Sequence, residues 1–176
     1  MSHILRPDDV RKSYSTLRSA VMDDAWPTLA ESRGKIIFVL MAHEAIYFNY
    51  TQGHPSLAGR NMFVFAEDWQ DEAAYLKIDD PVANKSDIRH LVNQGFIVRT
   101  QADSETYEAR IGDTYRKEMA FTSAAQIVCT DYYRADPRAA SSPDWTDYTV
   151  AFPGNALALI NEFTAPNVDI ECGISE

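Results

Sequence analysis

The chain has 176 residues, 45% of them hydrophobic and 11% aromatic, with a formal net charge of −10. That length suits one domain with at most an appendage, and the apolar content suffices for a packed core, which excludes global disorder. The acidic balance excludes a nucleic-acid surface and polybasic membrane docking, but leaves room for a local pocket that takes one anionic headgroup. The longest apolar runs, such as residues 36–42, fall far short of the roughly 20 residues a membrane helix needs, so no transmembrane segment is expected. Pro7, Asp8 and Asp9 stand where the apolar region of a signal peptide would have to be. Cys129 and Cys172 fit neither a disulfide framework nor a zinc knuckle, and Cys129, inside an apolar run, reads as a buried core thiol. The redox compartment stays open.

Residues 7–25 read as a helix: Pro7 with Asp8 and Asp9 makes a first turn, apolar residues recur at Val10, Tyr14, Leu17, Ala20 and Val21, and Trp26-Pro27 closes it. Arg33-Gly34-Lys35 then opens Ile36-Ile37-Phe38-Val39-Leu40-Met41, the pattern of a strand covered on both faces. A second such run spans 62–66. A third, 96–100, follows a helix-like stretch at 86–94 and the stop signal Gly95. The fourth, 126–130, follows the longest helical stretch, 104–125, with Asp103 or Ser104 as its N-cap. Strands alternating with helices predict an α/β protein of four parallel βα units. No strand is followed by a glycine-rich phosphate loop, which argues against a nucleotide-binding Rossmann fold. From about Arg134 the chain turns irregular and proline-containing, with 148–152 as its one strand-like piece. The expected organisation is therefore a body over 1–133 and an irregular extension, 134–176, packed on the same domain.

Five motifs in order carry a family resemblance: Trp26-Pro27-Thr28-Leu29; Arg33-Gly34-Lys35; His54-Pro55-Ser56-Leu57-Ala58-Gly59-Arg60; Gly95-Phe96-Ile97-Val98-Arg99-Thr100-Gln101-Ala102-Asp103 with Glu108-Ala109-Arg110 and Asp113-Thr114; and Ser123-Ala124-Ala125-Gln126-Ile127-Val128-Cys129-Thr130-Asp131-Tyr132. Over roughly residues 5–155 the chain resembles the calcium-dependent phosphoinositide-specific phospholipase C of bacterial type, a TIM-barrel phosphodiesterase. The motifs match only the second half of that barrel, its last four βα units, and a complete barrel of about 250 residues does not fit this length. The resemblance thus implies half of a (β/α)8 barrel, a phosphoric diester hydrolase of lipid metabolism, calcium as cofactor, a phosphoinositide or other phosphodiester headgroup as ligand, and a secreted setting. It also implies that the catalytic histidines and most acidic calcium ligands belong to the other half. Within the matching half, Gln101 stands where the family has an arginine and Met41 where it has an acidic residue. Ala124 replaces a glycine, and Leu159-Ile160-Asn161 replaces Arg-Cys-Asn.

In such a barrel the active-site groups project from the C-terminal strand ends. His43 is the one histidine there, and so the one candidate proton shuttle; as a loop residue it has an equally plain structural reading. Arg99 is the candidate to grip a phosphate bidentately, or else it forms a salt bridge to Asp103 or Asp131. Asp131 binds metal or orients Arg99. Gln101, Asp103, Thr130 and Tyr132 are the candidate headgroup contacts, with Asp103 alternatively a helix N-cap and Tyr132, beside Tyr133, alternatively a core residue. Glu67, with Asp68, is the candidate calcium ligand, although two carboxylates are too few alone.

Three readings follow: an enzyme completed by a second chain, a non-catalytic binding or structural half-barrel, and a piece of a longer phospholipase C. A half-barrel leaves two open sheet edges and an uncovered apolar face, so a homodimer or a complementary half-barrel is expected to cover them. The alternative is that the tail folds back, with 148–152 on an edge and Leu157, Leu159, Ile160 and Phe163 over the face.

Overall fold

The computed structural model describes residues 3–156 and 158–165 of the chain, so Leu157 and Cys172 lie outside it. The chain divides into two compact units, one of Met1–Lys77 with Leu91–Val98, the other of Ile78–His90 with Arg99–Glu176.

In the first unit, α1 (Pro7–Arg11) starts on Pro7, with Asp8 and Asp9 in its first turn. It stops at Lys12, whose φ is 50°, and α2 (Leu17–Met22) begins afresh behind Thr16, whose side chain accepts from Ser19 N at 2.9 Å. The single helix expected over 7–25 is therefore two, because Thr16 offers a cap inside the apolar pattern. α3 (Leu29–Ser32) is capped the same way, with Thr28 and Glu31 bonding reciprocally. β1 (Val39–Leu40), α4 (Glu44–Thr51), β2 (Phe63–Val64) and β3 (Tyr75–Lys77) follow. β1 and β2 pair in parallel, Val39 with Phe63 and Leu40 with Val64, and single parallel bridges join Ile4 to Ile36 and Phe65 to Tyr75. Phe63 lies fully buried among rings, 5.8 Å from Trp26 and 5.1 Å from Tyr75 between centroids.

The run 36–41 departs from its reading as a strand covered on both faces. Ile36, Phe38 and Met41 are 56%, 44% and 64% exposed, and only two of the six residues form strand. Gly95 is needed where it stands. Its φ is +94°, Trp26 Nε1 donates to its carbonyl at 2.9 Å, and a Cβ there would sit 2.4 Å from the Val21 carbonyl oxygen.

α5 (Pro81–Asn93) and β4 (Ile97–Gln101) contribute residues to both units. In the second unit α6 (Tyr107–Ile111) and α7 (Tyr115–Phe121) replace the continuous helix expected over 104–125, because Gly112 adopts φ 70° and ends α6 with a left-handed cap. β5 (Ile127–Cys129) runs parallel to β4, with Arg99 beside Ile127 and Gln101 beside Cys129. The sheet order is β3-β4-β5. The protein is thus α/β with parallel strands, and β3 is a strand the four-run reading missed. Residues 148–152 form no strand. Instead Val150 N donates to Tyr132 O at 2.9 Å, and Trp145, Tyr148 and Val150 join Ala102, Ala109, Ala120 and Tyr132 in one buried cluster. Leu159 and Phe163 remain exposed and line, with Ile127 and Phe152, a cavity of about 850 Å³. Among the described residues no helix is long and apolar enough to cross a membrane.

Candidate functional site

Strand alternation sorts the side chains of β4 and its continuation. Val98, Thr100 and Ala102 are fully buried, whereas Arg99 and Gln101 project to the other, half-open face. Cys129, cross-strand neighbour of Gln101, shares that face, and Arg99 Nε lies 3.0 Å from its Sγ. The Arg99 guanidinium is ion-paired through Nη1 with Asp79, in the link between β3 and α5. Neither Asp103 nor Asp131, the partners considered for it, makes that pair. Asp79 is the partner of Arg99 that the sequence reading missed. Its signal is the pair Asp79-Asp80 between a short apolar run and Pro81, which marks a strand end meeting a helix start. Asp80 serves the helix, accepting from Val82 N at 3.0 Å, and also pairs with Arg116 at 3.4 Å. Arg116 Nη2 in turn donates to Asp79 O at 2.6 Å, so two arginines fix this acidic link.

A second group closes the C-terminal ends of the same strands. Asp103 is fully buried, and its carboxylate accepts from Thr130 Oγ1 at 2.5 Å and from Asp131 N at 3.2 Å. The first helix after it is α6, whose N-cap is Thr106, so Asp103 is no helix cap. It staples the end of β5 to that of β4. Burial pushes its carboxyl above the usual carboxylate range, against the two hydrogen bonds that lower it, and the charges of Asp131 and Glu108 push the same way as burial. Glu108 is itself buried and accepts from Ser104 N at 2.8 Å, a loop-bracing role with no distinct sequence signal. Thr130 Oγ1 also accepts from Tyr132 N at 2.9 Å. Tyr132 is a core residue. Its hydroxyl donates to Glu105 O at 3.0 Å and its ring stands edge-on to Tyr148 at 5.7 Å, which leaves the exposed Tyr133 as the aromatic surface of that loop. The Asp131 side chain is exposed.

The remaining candidates belong to the first unit. His43 is exposed at the residue before α4, and its side chain makes no capping bond. His54 Nδ1 donates to Ala58 O at 2.7 Å, which makes it a turn residue. Glu67 is exposed, with its backbone N–H on Gln70 Oε1 at 2.6 Å. Among the described residues no three His, Cys, Asp or Glu side chains come together as a metal-binding group. Calcium takes six to eight oxygen ligands. The described residues therefore do not fit a calcium ion by themselves.

The arrangement offers a guanidinium held by a carboxylate on a half-open sheet face, an amide beside it, and a rigid carboxylate staple at the strand ends. No curated protein and no solved structure matches the chain. A family model described as phosphoinositide phospholipase C, Ca2+-dependent, matches residues 1–162. Covering nearly the whole sequence, that match establishes that the chain belongs to the Ca2+-dependent phosphoinositide phospholipase C family.

Proposed function

We propose that this chain is one half of a (β/α)8 barrel that binds the phosphodiester headgroup of a phosphoinositide, and that it needs a complementary half to cleave it. The observation that carries the reading is Arg99, whose guanidinium lies on the half-open face of β4 beside Gln101. A guanidinium matches two non-bridging phosphate oxygens, and the neighbouring amide N–H donates to a third position. Asp79 holds the guanidinium in place and yields to a phosphate oxygen when ligand enters. Asp103 and Thr130 keep the strand ends rigid beneath it, and the exposed Asp131 stands at the rim to meet the inositol hydroxyls.

Cleavage by attack of an inositol hydroxyl needs a base, an acid and positive charge on the phosphate. This chain supplies the charge in Arg99 and one exposed strand-end histidine, His43. His54 is tied into a turn, and His3 and His90 lie in the N-terminal segment and on α5. Among the described residues no second histidine stands exposed after a strand end, and no step of this reading runs through calcium. A second reading, a binding half that never takes part in cleavage, is favoured by Met41 and Gln101, where related enzymes are expected to carry charge.

The test is calorimetric titration of soluble glycerophosphoinositol into the purified chain. Binding that weakens by about tenfold or more in Arg99→Gln, the loss of one charge-assisted contact, supports the reading. Absence of binding, or equal binding by the variant, overturns it.

A further inference from the structure

The cavity of the second unit lies at the N-terminal end of β5, whereas Asp103 and Thr130 join the C-terminal strand ends. Its volume of about 850 Å³ falls within the range of small-molecule sites. Phe121, Ile127, Phe152, Leu159 and Phe163 give it an apolar wall. The rings of Phe121 and Phe152 pack with centroids 4.9 Å apart, so the helix before β5 and the chain after it build that wall together. Ile127, Leu159 and Phe163 are exposed, which leaves apolar surface open to a ligand.

One cation lines the cavity and a second stands beside it. Lys85 and Arg89 lie one turn apart on α5 and converge on Thr122, the residue that ends α7. Lys85 Nζ donates to Thr122 Oγ1 at 2.7 Å, and Arg89 Nη2 donates to Thr122 O at 3.0 Å. The Arg89 guanidinium carbon stands 5.5 Å from the centroid of the Phe163 ring. Among the described residues no carboxylate pairs with either cation, in a chain whose 26 acidic residues outnumber its 16 basic ones. Glu118, one turn before Thr122, accepts from Thr114 Oγ1 at 2.7 Å, and Glu162, the acidic residue of the lining, is exposed. Two charges without counter-charges thus sit at the edge of an apolar hollow.

We propose that this cavity binds a single-chain anionic amphiphile, a long-chain fatty acid, with its carboxylate on Arg89 and Lys85 and its acyl tail against the apolar wall. The cations select the head, because a carboxylate supplies the counter-charge that neither finds in the chain and matches the guanidinium fork. The wall selects the tail, because contact between the two takes apolar surface of both out of water. Neither Arg99 nor Gln101 takes part, so the inference does not depend on the headgroup reading.

Calorimetric titration of dodecanoate into the purified full chain, at concentrations where it forms no micelles, tests it. The expected result is saturable binding of one dodecanoate per chain. Dodecyltrimethylammonium, with the same tail and the opposite charge, binds more weakly by about tenfold or more, and butanoate, with the head and little tail, does not bind. Arg89→Gln with Lys85→Gln weakens dodecanoate binding by about tenfold or more, the loss of charge-assisted contacts. Leu159→Asp weakens it as well, by setting a carboxylate against the tail. These side chains are exposed or half-buried, so the melting curves of both variants match the wild type's. No binding of dodecanoate, equal binding of the cationic amphiphile, or wild-type affinity in either variant overturns the inference.

Discussion

Two apolar runs of this chain look alike as sequence and differ as structure. Residues 36–41 and 62–66 both read as strands with two covered faces, and they are neighbours in one parallel pair. Phe63 and Val64 are completely buried, whereas Phe38 and Met41 are 44% and 64% exposed. The ring cluster of Trp26, Phe63 and Tyr75 explains the first. Among the described residues no ring cluster of that kind packs on the second. An apolar run therefore states a demand for burial, and the same chain meets it fully in one place and only in part in another.

Truncation of the two phenylalanines separates these cases most sharply. Phe63→Ala removes a fully buried ring and costs about 3–5 kcal/mol in chemical denaturation. Phe38→Ala, at 44% exposure, costs less than about 1 kcal/mol. Equal costs for the two would erase the distinction. Gly95→Ala comes next. With φ at +94° and a backbone oxygen 2.4 Å from the new methyl, the loss is about 2–4 kcal/mol, and a variant as stable as wild type would show that α2 yields there.

Asp103→Asn is smaller, about 1–3 kcal/mol, because the amide keeps one acceptor for Thr130 or Asp131. Its pH dependence carries the sign. Burial raises the carboxyl in the folded state, so the folded protein holds this proton to higher pH than the unfolded chain does. Asp103 then contributes most below its unfolded value of 3.8, and that contribution declines as pH rises through the raised folded value. The stability gap between wild type and Asp103→Asn accordingly narrows from acid towards neutral pH. A gap that widens would mean the hydrogen bonds outweigh burial.

The same contrast explains how much was legible beforehand. The parallel α/β pattern was readable because Val, Ile and Phe cluster at 36–41, 62–66, 96–100 and 126–130 and helical stretches separate them. β3 escaped notice because Ala73-Ala74-Tyr75-Leu76 is short and ends in charge. The helix breaks at Lys12 and Gly112 are local capping decisions that periodicity alone does not resolve. At the site, Arg99 and Asp103 stood out as charged residues at a strand end. Their partners did not, because pairing of Arg99 with Asp79 depends on a strand that had not been recognised, and Asp103 turned back to β5 instead of forward to a helix. Glu67 shows a limit of a different kind: it was picked for its place in sequence, and among the described residues no three His, Cys, Asp or Glu side chains come together as a metal-binding group.

The most direct test of the central claim, that this chain holds the phosphodiester without cleaving it alone, is an assay of phosphatidylinositol hydrolysis by the purified protein with added calcium. The account predicts no release of inositol phosphate above the buffer control, while glycerophosphoinositol still binds through Arg99. Turnover well above that control, abolished by His43→Ala, would contradict it and make the chain a complete phospholipase.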